Sequence, residues 1–184
     1  MTVEGKVVLV GVSGGIAAYK VGYVVSGLRQ AGAEVHVLMT PSARAFVGAL
    51  TFRALSEQPV ITDLLSAENP WAEPHVTLGA RANLYVIAPA TAQTIAKLAL
   101  GLADDVVTAT ALATRAPLLV APAMSDLMAT HPTVQAHLQT LRQRGAHIVG
   151  PEVGRLASGR EGPGRMSEPE AILREARRLL GDRI

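Results

Sequence analysis

The chain has 184 residues, of which 49% are hydrophobic and 3% aromatic, a length typical of one domain whose core is built from Ala, Val, Leu and Ile. Its 17 basic and 15 acidic residues are interspersed and leave a net charge of +2, which argues against a nucleic-acid surface, and no apolar run or leader pattern indicates a membrane or secreted protein. We therefore expect a cytoplasmic protein, and the absence of cysteine excludes disulfides, thiolate metal sites and a cysteine nucleophile.

Short apolar runs alternate with helix-like stretches along the chain. The first strand is predicted over residues 6–12, and a helix over residues 16–30 follows it. Further strands are predicted over residues 34–39, 83–88, 117–121 and 147–149. Because right-handed crossovers leave few other topologies, this rhythm favours the α/β class, with an open, doubly wound, mostly parallel sheet and helices on both faces. We expect one domain over residues 1–184.

A Gly-rich turn and a polar turn follow two of the predicted strands. The first contains Gly11, Ser13, Gly14 and Gly15, and the second contains Thr91, Gln93 and Thr94. Backbone amides at the start of a helix can bind an anion, and in a parallel sheet both turns would lie at the carboxyl ends of the strands. Each turn alone also fits ordinary helix packing or capping. Together they predict a mononucleotide site.

Residues 151–166, which we call the flap, are rich in Gly and Arg and have no apolar periodicity. The sequence predicts a long loop here, either covering a ligand or serving as a flexible connector. Among the histidines, His75 is the one expected in a loop from which it could reach a ligand and exchange a proton near neutral pH.

Five ordered motifs between residues 9 and 166 carry a family resemblance: GVSGGIAAYK, PHVTLG, APATAQTIAKLALGLADDVVTAT, APAMSDLM and GRLASGREGPGRM. Together they resemble the flavin-dependent cysteine decarboxylases. The resemblance implies a Rossmann-like or flavodoxin-like fold, FMN as cofactor, a homotrimer and no metal, and it leaves open whether trimers assemble into dodecamers. In this family, the flavin oxidises the thiol of a cysteine-like substrate, the neighbouring carboxylate is lost, and an enethiol forms.

The resemblance also implies roles for individual residues. His75, Ser125 and Ser158 match catalytic positions. The FMN site would comprise Ser13, Gly14, Gly15, Thr40, Phe46, Thr91, Ala92, Gln93, Thr94 and Ala123. Substrate would be held by Met124, Met128, Arg155, Arg160 and Arg165, although the two methionines are equally consistent with core packing.

Three departures from the family pattern bear on function. Ser125 replaces an asparagine that orients the substrate carboxylate, and a hydroxyl offers fewer hydrogen-bonding groups and less reach. Gln93 replaces another asparagine near the cofactor. Ser158 replaces a cysteine in the flap that helps to return the enethiol to a saturated thiol, and a hydroxyl cannot perform that redox chemistry.

Three functions follow from these departures. The first is oxidative decarboxylation of a C-terminal cysteine on a peptide, which stops at the enethiol and needs no flap thiol. The alternative is decarboxylation of phosphopantothenoylcysteine in coenzyme A biosynthesis. The third is flavin binding without decarboxylase activity, because Ser125 could have disabled the site.

Overall fold

The computed structural model describes residues 3–181. Its main sheet contains β1 (Val7–Val12), β2 (Glu34–Met39), β3 (Leu84–Ala90), β4 (Leu118–Pro122) and β5 (His147–Ile148), and a second small sheet contains β6 (Glu152–Arg155) and β7 (Glu161–Arg165). The helices are α1 (Val21–Gln30), α2 (Ala49–Ser56), α3 (Pro74–Arg81), α4 (Ala92–Leu100), α5 (Val106–Ala113), α6 (Asp126–Thr130), α7 (Pro132–Gln143) and α8 (Pro169–Leu179). Two 3-10 turns cover Ile16–Lys20 and Pro41–Ala45.

The main sheet is parallel, with strand order β2-β1-β3-β4-β5. This is the flavodoxin-like order, in which the chain leaves β1 first toward β2 and later returns to β3 on the other side of β1. The doubly wound α/β fold predicted from the sequence is confirmed. Ligands of such sheets bind outside the carboxyl ends of the strands where the winding reverses, which here is between β1 and β3.

Apolar side chains from successive strand residues fill two cores, one on each face of the sheet. One core contains Val8 and Val10 of β1 with α1, α2 and α8, and the other contains Leu9 of β1 with α3, α4, α5 and α7. Strands buried on both faces read as continuous apolar runs, which is why the sequence located them within two residues. Across residues 3–181, no helix is long and apolar enough to span a membrane.

The flap is a β-hairpin, so the predicted loop is wrong. β6 and β7 pair antiparallel, with Val153 opposite Pro163 and Arg155 opposite Glu161. The turn closes through backbone hydrogen bonds from Leu156 N to Arg160 O and from Gly159 N to Leu156 O. Glycines are depleted in strands and supply no side chains for pairing, so propensity alone gives no strand signal in this segment.

Candidate functional site

A cavity of about 850 Å³ opens at the carboxyl ends of β1, β3 and β4. It lies where the winding reverses, and its volume falls within the usual range for ligand pockets, roughly 300–1,000 Å³. Of the residues predicted to be catalytic or to bind cofactor or substrate, it brings together Gly14, Gly15, Thr91, Ala92, Gln93, Ala123, Met124, Ser125, Met128, Arg155, Ser158 and Arg165. The sequence therefore predicted the greater part of one continuous surface.

Ser13 joins the two polar turns beneath this cavity. Its hydroxyl is buried, donates to Pro89 O at 2.6 Å and accepts from Thr91 N at 3.0 Å. These bonds fix the end of β1 against the end of β3. The hydroxyl thus has structural hydrogen bonds, and direct contact between Ser13 and a cofactor stays a prediction.

The first Gly-rich turn packs directly against the segment that follows β2. A Cβ added at Gly14 would overlap the Ser42 side chain, so the turn requires glycine for this close approach. Thr40 is buried and caps the 3-10 turn by accepting a hydrogen bond from Ala43 N at 3.3 Å. Ser42 lines the cavity, whereas Phe46 is 48% exposed and is not among the lining residues.

The second turn presents the start of α4 to the cavity. The Thr91 hydroxyl caps the helix by accepting a hydrogen bond from Thr94 N at 3.3 Å, and it lies 3.2 Å from the Thr94 hydroxyl. The amides of Ala92 and Gln93 belong to the first helical turn, which has no intrahelical acceptors for them. They can therefore donate to an anionic group in the cavity, and the helix dipole favours such a group.

The flap packs against the start of α6 and closes the cavity on that side. Met124 N donates to Gly164 O at 2.9 Å, and Arg160 forms an ion pair with Asp126 at 2.6 Å. Ser125 caps α6, since its hydroxyl accepts from Met128 N at 3.4 Å. This arrangement places Ser125 and the hairpin residue Ser158 on the walls of the same cavity and directs the Arg160 side chain to α6.

A three-residue ionic cluster joins the first turn to the end of the flap. Lys20 Nζ donates to both carboxylate oxygens of Glu168, at 3.0 and 3.1 Å, and Arg165 forms an ion pair with the same carboxylate. The Lys20 hydrogen bond is the main cause of a lowered Glu168 pKa, and Arg165 contributes to it. Glu168 is therefore ionised at neutral pH, and both cations line the cavity.

His75 lies outside this arrangement. The structure places it in the first turn of α3, so the loop predicted around it is wrong. Among residues 3–181, those that line the cavity do not include His75, and its buried Nδ1 has no hydrogen-bond partner within the described chain. A single copy of the chain thus does not bring His75 to the cavity.

Several lining residues were missed by sequence reasoning, including Lys20, Ser42, Tyr19 and Met166. Lys20 lies in the GVSGGIAAYK motif, and Ser42 follows a strand, so both had a positional signal. Among the described residues, those lining the cavity include three cations, Lys20, Arg155 and Arg165, and no carboxylate. The cavity is suited to an anionic ligand with an apolar body.

These features define a flavodoxin-like α/β protein with a site for a phosphorylated ligand. The sequence matches the family described as Flavoprotein over residues 2–181, and the chain belongs to that family. The resemblance predicted from the sequence motifs is confirmed at this level.

Curated relatives belong to coenzyme A biosynthesis. The chain is 51% identical over 175 residues to the coenzyme A biosynthesis bifunctional protein CoaBC of Mycobacterium tuberculosis, and 47% identical to CoaBC of Bacillus subtilis. These matches cover 95% of this chain but 41% and 43% of the relatives. The chain thus spans less than half the length of these bifunctional proteins.

Solved structures include similar proteins of two kinds. A cysteine-to-serine mutant of PPC decarboxylase complexed with pantothenoylaminoethenethiol has a TM-score of 0.85 and 34% identity, with 97% of this chain and 99% of that chain covered. The FMN-dependent cysteine decarboxylase SpaF has a TM-score of 0.80 and 35% identity, with 95% and 99% covered.

The residues present fit FMN. The amides at the starts of the 3-10 turn and α4 suit a phosphate, and the apolar side chains of Ile16, Met124, Met128 and Met166 offer surface for a flat ring system. The two turns approach each other closely, because a Cβ added at Gly15 would come into van der Waals contact with Thr91 Cγ2, 3.6 Å away.

Proposed function

We propose that the chain is an FMN-dependent cysteine decarboxylase whose substrate is phosphopantothenoylcysteine. The observation that carries this proposal is the 51% identity to CoaBC over 95% of the chain. Sequence reasoning placed a peptidyl-cysteine substrate first because of Ser158. Similarity along the whole chain outweighs one residue at the flap turn and favours the alternative.

The bound flavin would supply reversible two-electron oxidation of the substrate thiol, which makes loss of the neighbouring carboxylate possible. The chain's own contribution is to bind and orient the substrate. The Ser125 hydroxyl can donate a hydrogen bond to a carboxylate while its oxygen continues to cap α6. The flap and the methionine side chains line the cavity, and the water that they displace when substrate binds would strengthen such polar contacts.

Ser158 affects which product is released. The hairpin holds Ser158 on the cavity wall, where the resemblance implies a thiol in related enzymes. A serine hydroxyl is a much weaker acid than a thiol, so it is a poor proton donor to the enethiol carbon. We propose that the chain releases the enethiol more readily than an enzyme with a flap thiol would, and that the two electrons retained by the flavin would then pass to an external acceptor such as dissolved oxygen.

His75 would reach the cavity from a second copy of the chain. Its placement on α3, outside the cavity of its own chain, is consistent with the homotrimer that the resemblance implies. An imidazole supplied from a neighbouring copy could then transfer the thiol proton. The trimer stays a prediction.

The substrate can be tested by incubating the FMN-loaded protein with phosphopantothenoylcysteine or with a peptide ending in cysteine, followed by mass spectrometry. We expect phosphopantothenoylcysteine to lose carbon dioxide and the peptide to remain intact. Peptide decarboxylation with unchanged phosphopantothenoylcysteine would instead establish the second candidate function, which Ser158 and the similarity to SpaF favour.

The product tests the role of Ser158. The native chain should give a large fraction that has lost carbon dioxide and two hydrogens, and Ser158→Cys should shift the product toward loss of carbon dioxide alone. Ser66→Ala, which alters a partly exposed serine in another loop, serves as a control. An identical product ratio in native protein and Ser158→Cys would contradict this role.

A further inference from the structure

The Lys20–Glu168–Arg165 cluster has more positive charge than its own ion pairs neutralise. Two cations share one carboxylate, which leaves a net charge of +1 inside the cluster. Arg155 lines the same cavity and adds another positive charge, and no carboxylate is among the described lining residues. This balance suits a dianion.

Both cations have hydrogen-bond donors left for a ligand. Lys20 uses two contacts on the Glu168 oxygens and, as an ammonium, has three donors. Within residues 3–181, the Arg165 side chain donates one hydrogen bond, through one terminal nitrogen, and its guanidinium has five N–H groups. The Lys20 side chain is only 17% exposed, and its ion pair with Glu168 holds the ammonium at the cavity wall.

The cluster is separate from the helix starts that suit the cofactor phosphate. Lys20 ends the 3-10 turn that begins after Gly15, and five residues of a 3-10 helix rise about 10 Å. The pairing with Glu168 also draws the Lys20 ammonium toward the end of the flap, so we infer that an anionic group held there is a different group from one held by the amides near Gly15. The cavity thus offers two anion positions.

We propose that Lys20 and Arg165 form the subsite for the phosphomonoester of the substrate, an inference that rests on the proposed phosphopantothenoylcysteine substrate. A lysine point charge beside an arginine fork is a common arrangement for phosphate. The reacting carboxylate at the other end of the substrate is a monoanion, and it would accept a hydrogen bond from Ser125. A peptide substrate has no phosphomonoester, so this subsite selects against it, because a site built for a charged group rejects analogues that lack the group.

The test measures binding and needs no turnover. The FMN-loaded protein is titrated by calorimetry with 4′-phosphopantothenate and with pantothenate, which differ in the phosphate. We expect the native protein to bind the phosphorylated compound at least about tenfold more tightly, the effect of one charge-assisted hydrogen bond. Lys20→Gln and Arg165→Gln should each lose most of this preference.

Two further variants separate charge from folding. Lys20→Arg should keep the preference, because it retains a cation, and Lys6→Gln, which removes a charge from an exposed residue at the opposite end of β1, should leave it unchanged. The FMN dissociation constant, measured by flavin fluorescence, should be the same in Lys20→Gln and native protein. A lower FMN affinity with unchanged phosphate preference would assign Lys20 to the cofactor and overturn the inference.

Decarboxylation is measured separately, so the two proposals can fail independently. If the native protein decarboxylates phosphopantothenoylcysteine but Lys20→Gln and Arg165→Gln keep the full phosphate preference, the subsite is wrong and the function stands. If the native protein shows no phosphate preference and leaves phosphopantothenoylcysteine intact, both proposals are wrong.

Discussion

Replacing Gly164 by alanine should detach the flap from the rest of the site. Gly164 has a φ of +131°, a conformation that side chains rarely adopt. A Cβ at this position would overlap the Met124 carbonyl oxygen and would lie 3.2 Å from the carbonyl carbons of both Met124 and Ser125. These neighbours are backbone atoms, so they cannot rotate away, and β7 must move from the start of α6.

The cost can be estimated from two contributions. Backbone strain at such a residue amounts to about 1–3 kcal/mol. Moving β7 also breaks the hydrogen bond from Met124 N to Gly164 O, worth about 1 kcal/mol. The sum, about 2–4 kcal/mol, favours hairpin opening by roughly 30-fold to 1,000-fold.

Gly159→Ala is the matched control. Gly159 also has a positive φ, +82°, and lies in the same hairpin, but a Cβ there would have no atom within 4 Å. Its replacement should cost only the left-handed strain, about 1–2 kcal/mol. Arg155 and Arg165 both lie within the strands, so trypsin cleaves after them only when the hairpin opens. The cleavage rate then measures the population of the open hairpin, provided that opening and closing are fast relative to cleavage.

We expect cleavage at these two sites to be about tenfold faster in Gly164→Ala than in Gly159→Ala. Urea unfolding followed by the fluorescence of Trp71, the single tryptophan of the chain, separates hairpin opening from global unfolding. Equal cleavage rates in the two variants would refute the argument that backbone crowding at Met124 holds the flap in place.

Two predictions concern other buried polar groups. Ser13→Ala removes the hydroxyl between Pro89 O and Thr91 N and should lower the free energy of unfolding, measured in urea, by about 1–3 kcal/mol. The control Ser66→Ala should change the free energy of unfolding by less than about 0.5 kcal/mol. Equal losses in the two variants would contradict the bridging role of Ser13. Burial lowers the pKa of His36 against the opposing effect of Glu34, so the unfolded chain takes up the proton at higher pH than the folded chain does. The free energy of unfolding should therefore fall as the pH drops below 6.5, and His36→Phe should flatten this pH dependence. Urea titrations can be followed by the fluorescence of Trp71, whose ring centroid lies 5.5 Å from that of His36. An unchanged slope of the free energy of unfolding against pH in His36→Phe would exclude His36 as the cause.

The sequence predicted those parts of the structure that depend on local pattern. Continuous apolar runs located the strands of the main sheet, because their residues are buried on both faces. The turns after β1 and β3 were recognised as a joint site, because parallel strands bring their carboxyl ends to one edge. The FMN-site assignments of Thr40 and Phe46 remain predictions that the cavity of a single chain does not test.

Other features depend on contacts between distant parts of the chain or on competing signals. Lys20 and Glu168 are separated by 148 positions, and no local pattern indicates their pairing. The helical start at His75 did have a signal, since Pro74 occupies the first turn of α3, where proline is favoured. The flap hairpin gave none, because its pairing is carried by backbone groups of glycine-rich strands.

The flap is fixed at its base and freer at its turn. The Met124–Gly164 hydrogen bond and the Lys20–Glu168–Arg165 cluster hold the β7 side, while the turn over residues 156–160 is held to α6 by the exposed Arg160–Asp126 pair. We therefore expect ligands to exchange with solvent by displacement of the turn alone, on the nanosecond-to-microsecond scale of loop motion, without separation of the two strands. Entry and departure would then take place beside Ser158, so that the residue which distinguishes this chain chemically would also lie along the route to the solvent.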